Sequence, residues 1–153
     1  MITESAQILS NCYSGDVLKH APRAKSGAER RHSYPFHPCC KWAKESLDNW
    51  MYVVELGLEL QVEASYRGYA KSHSSLFIEW ASSNIPDLPD IGFTEPVLAM
   101  PDNRKIGDAV TSYREYYCKD KVFMKNGKRM NFWGRRGEPY WWQPKKAELM
   151  GAV

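Results

Sequence analysis

No apolar run in the chain approaches the roughly 18 residues that a helix needs to cross a bilayer, which excludes a membrane-spanning helix. The opening residues Met1-Ile2-Thr3-Glu4-Ser5 are polar and do not read as a secretory signal, so a cytoplasmic protein is expected. Cysteine is sparse: Cys12, Cys39, Cys40 and Cys118 are too scattered to frame a small disulfide-stapled fold, and reduced thiols are expected. The vicinal pair has no second pair to answer it. Zinc at His37, Cys39 and Cys40 is disfavoured, because structural zinc sites draw ligands two to four residues apart from two groups. The sequence also lacks a Ser-His-Asp order, a phosphate-binding glycine loop and a two-histidine metal motif, so no cofactor or metal is called for. Convincing alternating strand pairs are missing too, which leaves a mainly α fold.

What is present suits a globular protein. The 153 residues are 43% hydrophobic, enough for a real core, and are read as a single compact domain, 1–153. One stretch organises the rest. From His37-Pro38 to Gly68-Tyr69 the apolar positions Ala43, Leu47, Trp50, Met51, Val54, Leu58, Val62, Tyr66 and Tyr69 recur at spacings of three and four, predicting one long central helix with these residues as its core face. Pro38 suits the first turn, and Gly57 costs about 1 kcal/mol relative to Ala. Glu45, Asp48, Glu55, Glu59 and Glu63 line the opposite face, with Glu63 placed to pair with Arg67 one turn on.

The flanking chain is shorter-ranged in its signals. Residues 1–10 have helical composition with Ile2, Ala6 and Leu9 on one face, although nothing caps their start. That start fits either a simple N-terminal helix or one preceded by a further segment. Residues 11–37 form a basic loop, interrupted by Gly15, Pro22, Gly27 and Pro35 and carrying Lys19, Arg23, Lys25, Arg30 and Arg31 against Asp16 and Glu29. Serines before Leu76-Phe77-Ile78 predict a short helix over about 74–84, and the three breakers of 85–93 predict a loop. Asp108 is a natural cap for a helix running to Lys119, with Val110, Tyr113 and Tyr117 on one face. Asn126-Gly127 between two short apolar runs signals a possible small C-terminal hairpin.

Charge is unevenly spread. The whole chain is +3, yet residues 119–146 hold nine Lys and Arg against Asp120 and Glu138, a local +7. Such concentration is the footprint of a polyanion-binding surface. Phe132, Trp133, Tyr140, Trp141 and Trp142 are interleaved with it, and rings beside cations can stack on unpaired bases while the cations hold phosphates, at about 1–3 kcal/mol per stack. The competing reading is that these tryptophans pack a core. Two further constellations stand out: Arg67, Lys71 and His73 at the exit of the central helix, where cations also complement the helix dipole, and Arg114 with Tyr117 on nearby helical positions. Glu4 is either a favourable charge at a helix start or a carboxylate that positions a nucleophile. His37 and His73 are either ligand groups or satisfied core histidines.

Glu4-x-x-Gln7-Ile8-Leu9, His37-Pro38 with Trp42, and Glu63 followed by Arg67-Gly68-Tyr69 together resemble a set of phage and bacterial proteins related to pyrimidine-dimer DNA glycosylase of the endonuclease V type. The resemblance covers roughly residues 1–73 and extends to Tyr113-Arg114-x-Tyr116-Tyr117 and Pro139-x-Trp141-Trp142. It implies a compact all-α fold acting on DNA, in which an amine attacks C1′ of a damaged nucleotide, forms a Schiff base and permits β-elimination. Glu4 matches the helix position of the family's catalytic carboxylate, and Arg67 matches a recurrent arginine of the phage relatives. The sequence departs at the amine: the family exposes a small N-terminal residue after Met removal, whereas Ile2 is bulky, leaving Met1 or a lysine such as Lys71 to substitute.

The leading expectation is therefore a phage-type DNA-acting protein with base excision as its chemistry and Glu4 as catalytic carboxylate. Arg67, Lys71, His73, Arg114, Tyr117, Arg135, Arg136, Trp141 and Trp142 are the candidate nucleic-acid or phosphate contacts, with His37 and Trp42 as additional candidates. Two other readings stand beside it. One is a non-catalytic inhibitor of a host nucleic-acid-handling or defence protein, binding through the acidic helix face or the basic tail. The other is a nucleotide-processing enzyme holding a phosphate with Arg67, Lys71, His73 and Arg114.

Overall fold

The computed structural model describes residues 1–122, 133–134 and 136–150, with the backbone alone described at 149–150. Among them all regular structure is helical, as the sequence predicts, and no helix is long and apolar enough to cross a membrane. The expected hairpin around Asn126-Gly127 and the candidate Arg135 lie outside the described residues. The chain divides into two compact units, 1–97 and 98–153.

In the first unit, α1 (Ile2–Ser10) packs on α3 (Pro38–Glu45), α4 (Leu47–Tyr66) and α5 (His73–Ser82), while α2 (Gly15–Leu18) is one capped turn inside the basic loop. The predicted face of α1 holds: Ala6 and Leu9 are buried and Ile2 packs against the core. Around them gather Tyr13, Leu18, Trp42, Trp50, Val53, Val54, Phe77, Ile78 and Ala81. Phe77 and Trp80 stack at 5.5 Å, and the Tyr13 hydroxyl donates to the Asn84 carbonyl at 2.8 Å, closing the far end of α5 onto the chain after α1.

The long central helix is two helices. Ser46 adopts an extended backbone (φ −150°, ψ 148°) and is fully buried, ending α3 and capping α4. Its hydroxyl accepts from the Asp48 N–H at 3.1 Å and donates to the Gly92 carbonyl, while Leu47 N–H donates to Pro89 O at 2.9 Å. The loop at 85–94 therefore satisfies backbone groups that a continuous helix would pair within itself. Asn49, also fully buried, donates to Trp42 O and Thr94 Oγ1 and accepts from Thr94 N–H, binding the helix junction to the same loop.

The expected core face is corrected as well. Beyond Leu58 its members turn outward: Val62, Tyr66 and Tyr69 are exposed, and so is Met51. The buried stripe is Asn49, Trp50, Val53, Val54 and Gly57. α5 sets this choice, because it packs onto α4 at Gly57, where a Cβ would lie 2.9 Å from Ile78 Cδ1. α4 ends as Gly68 takes a left-handed conformation (φ 81°), with Gly68 N–H bonded to Ser65 O and Tyr69 N–H to Ala64 O.

The second unit holds a 3-10 turn at Asp102–Arg104, α6 (Ala109–Tyr116) running into a π-helical turn at Tyr117–Lys121, and α7 (Trp142–Met150). Asp108 caps α6 as expected, accepting from Thr111 N–H at 2.9 Å. The buried positions differ from the expected Val110, Tyr113 and Tyr117 stripe. Val110 and Tyr113 are exposed, whereas Ala109, Ser112 and Cys118 are buried. Two causes act: Ser112 turns inward to bond both Ile106 N and Ile106 O, and the π turn shifts the register so that Cys118 and Val122 face Trp142.

Candidate functional site

The first unit contains a groove of about 550 Å³ lined by residues from three helix ends. Met1, Ile2 and Thr3 come from the start of α1, Leu60 to Arg67 from the end of α4, and Tyr69 to Ser75 from the turn that opens α5. The capping chemistry explains why they meet. The Gly68 turn reverses the chain after Arg67, and Ser72 then caps α5 by accepting from Ser75 N–H at 3.1 Å. Two helix N-termini, of α1 and α5, thus border the groove with the positive ends of their dipoles.

The groove's charges come in pairs. The Met1 amine meets Glu4 at 2.5 Å, Arg67 Nε meets Glu63 at 2.7 Å, and Lys71 Nζ meets Glu79 at 2.5 Å. Gln61 also donates to Glu79, and its own Oε1 is buried without a partner among the described residues. The hydrogen bond from the Met1 amine holds the Glu4 carboxyl below its ordinary value, and those from Lys71 and Gln61 do the same for Glu79. Both carboxylates are therefore charged at neutral pH, and the groove is close to electrically balanced. Arg67 and Lys71 are thus each engaged by a carboxylate rather than left as open cationic positions.

Of the sequence candidates, Arg67 and Lys71 line this groove and Glu4 pairs with an amine that lines it. His73 is exposed at the first residue of α5, where its carbonyl accepts from Arg30 Nη2 at 2.6 Å. His37 is likewise exposed, and its Nδ1 accepts from Cys39 N–H at the start of α3, so neither histidine is the buried core residue that was one of the two readings. Trp42 is buried, donates to Thr94 O at 3.2 Å and packs edge-on to Tyr52 and Phe93, which makes it part of the core. No cluster able to hold a metal occurs among the described residues.

The remaining candidates belong to the second unit. Arg114 lies over the rings of Tyr140 at 5.8 Å and Trp141 at 5.4 Å. Tyr117, Trp133, Trp141 and Trp142 form one edge-on and tilted aromatic cluster. Trp142 is fully buried in it, so packing accounts for this ring, while Trp141 is half-buried. Arg136 is exposed. Three of the nine cations between 119 and 146 are paired among the described residues: Lys119 and Lys145 share Glu148, Lys145 also meets Glu115, and Lys146 meets both oxygens of Glu138, while Asp120 is held by Arg104 from outside the segment. Counting charge between 119 and 146 misses Glu115 and Glu148 because they lie just outside that window.

The sequence reading passed over two residues that the structure makes conspicuous. Tyr34 and Phe36 are 72% and 85% exposed in the basic loop, and Tyr34 is the non-glycine residue found at positive φ (52°) among the described residues. Tyr34 precedes Pro35, which itself narrows the backbone choices of the residue before it. Holding a bulky side chain in this region costs about 1–2 kcal/mol. Only their density of aromatic residues within a basic loop was available as a signal in the sequence.

Searches against protein-family models, curated proteins and solved structures find no match to this chain.

Proposed function

We propose that the chain is a DNA-acting protein of the base-excision type, working at the groove between the starts of α1 and α5 and the end of α4. A single observation carries this reading: two amines, Met1 N and Lys71 Nζ, line the same groove as Arg67, with the Glu4 carboxylate against one of them. In the proposed reaction an unprotonated amine forms a bond to C1′ as the bond from C1′ to the base breaks, and the base leaves with a proton. Ring opening gives the Schiff base. Loss of a C2′ proton then drives departure of the 3′-phosphate, which cleaves the strand. Glu4, kept ionised, stabilises the cationic sugar and accepts a proton. Arg67 exchanges Glu63 for the flanking phosphate.

The test is borohydride trapping on labelled duplexes holding an abasic site or a thymine dimer. A covalent adduct is expected with the wild-type chain and a reduction of at least about tenfold in Glu4→Gln. Comparing Lys71→Met with a chain whose first amine is blocked identifies the nucleophile. No adduct on any duplex would overturn the reading and leave a non-catalytic interaction protein as the better account.

A further inference from the structure

We infer that Tyr34 and Phe36 form a stacking platform for unpaired bases, with Arg31 and Lys41 as the cations that hold the adjoining phosphates. Tyr34 and Phe36 present large rings to solvent from a four-residue turn closed by the His37 N–H donating to Tyr34 O at 2.8 Å. The turn leads straight into α3, which is anchored by its His37 cap and by burial of Cys40, Trp42 and Ala43. Loop tips usually carry small polar residues. Two bulky rings on a turn with one backbone at positive φ are the opposite.

The cations flanking the turn are unpaired among the described residues, while the nearest carboxylates in the sequence, Glu29 and Glu45, meet Arg23 and Thr94 instead. Arg31 stands three residues before Tyr34, within about 11 Å along even a fully extended chain, and Lys41 lies one helical turn beyond His37. Both are exposed and make no ion pair among the described residues, unlike the paired cations of the groove. Arg30 does different work: it bonds Pro22 O and His73 O and lies 4.9 Å over the Phe77 ring, tying the loop to α5. Exposed rings beside unneutralised cations, with no carboxylate between residues 30 and 44, are complementary to a single-stranded polyanion whose bases are free to stack. A duplex offers the same phosphates but no accessible base faces. For a protein that acts on a damaged nucleotide, such a platform receives bases that have left the duplex stack. In that respect the inference rests on the proposed DNA-acting role.

The full-length chain is titrated with fluorescent oligo(dT) and with a matched duplex, following anisotropy. Wild type is expected to favour the single strand. Tyr34→Ala and Phe36→Ala should each weaken it by about 5- to 150-fold, the range for losing one stacked base, while duplex affinity changes little. Phe36→Trp should retain binding and show indole fluorescence quenched by the DNA. Arg31→Ala should reduce the salt slope for the single strand by about 0.7. Circular dichroism confirms that the variants stay folded. If wild type binds DNA and both alanine variants bind oligo(dT) equally well, the platform is overturned while the DNA-acting role survives. If wild type binds no DNA at all, the platform falls; an adduct in borohydride trapping is what would decide the catalytic reading separately.

Discussion

Gly57 shows how one residue can be misread from composition alone. Inside a helix it costs about 1 kcal/mol relative to Ala, yet an added Cβ would meet the fully buried Ile78 at 2.9 and 3.0 Å. Overpacking of this kind costs about 1–3 kcal/mol, so the close contact wins over helix propensity. Gly57→Ala should therefore lower the thermal midpoint, and combining it with Ile78→Val, which removes the nearest methyl, should recover part of the loss as a coupling of at least about 0.5 kcal/mol. Stabilisation by Gly57→Ala would show that the contact is absent in solution. The thiols supply a second test. Burial pushes the Cys12 thiol up to about 12 and raises Cys40 and Cys118, whereas Cys39 is partly accessible. At pH 8 an aromatic disulfide reagent should modify one cysteine quickly and the other three only after denaturant. Because the folded value for Cys12 lies above its ordinary 9, its contribution to stability is complete below pH 9 and fades as pH climbs toward 12.

At the scale of elements, the junction between α3 and α4 decides the geometry of the first unit. Periodicity ran through it unbroken, because Glu45-Ser46-Leu47 contains neither Gly nor Pro and the apolar spacing continues on both sides. What breaks the helix is a long-range partner: Ser46 and Asn49 bond Gly92 and Thr94, more than forty residues away. Ser46→Ala loses the cap and the Gly92 bond together and should cost about 1–3 kcal/mol in urea unfolding. An unchanged midpoint would mean that the junction holds without its serine. The end of α4 also differs from the expectation: the apolar spacing carries the expected helix on through Tyr69, whereas α4 ends at Tyr66. Glycine after a helical run is a known stop, and Gly68 takes the left-handed conformation that stops it. Open space surrounds its missing Cβ, so Gly68→Ala should cost only the backbone strain, about 1 kcal/mol, and should disturb the placement of Arg67 and Lys71 on the groove.

For the molecule as a whole, the two units hold separate cores, one within residues 1–97 and the other built on Cys118, Val122 and Trp142. A fragment of residues 1–97 should therefore retain its helical circular dichroism and melt cooperatively; a fragment that is unfolded would show that the first core is not sufficient. The charge network sets the acid response. Glu4, Glu79, Asp120 and Glu148 are each held below their ordinary values by a cation that hydrogen-bonds them. Their stabilising contribution is complete above pH 4.5 and is lost as pH falls through the lowered values, so the thermal midpoint should drop on acidification. These groups are surface pairs, and the drop should shrink in about 1 M salt, where the screening length is about 3 Å. From sequence alone came the helical class, the buried face of α1, and the serine and Asp108 caps that start α5 and α6, all of which depend on neighbours three or four residues apart. Those are local interactions, with partners fixed by spacing along the chain. The break at Ser46, the burial of Trp142, the neutralised lysines of the second unit and the meeting of Met1 with Arg67 and Lys71 were decided by tertiary structure, because each depends on a partner supplied by a distant segment.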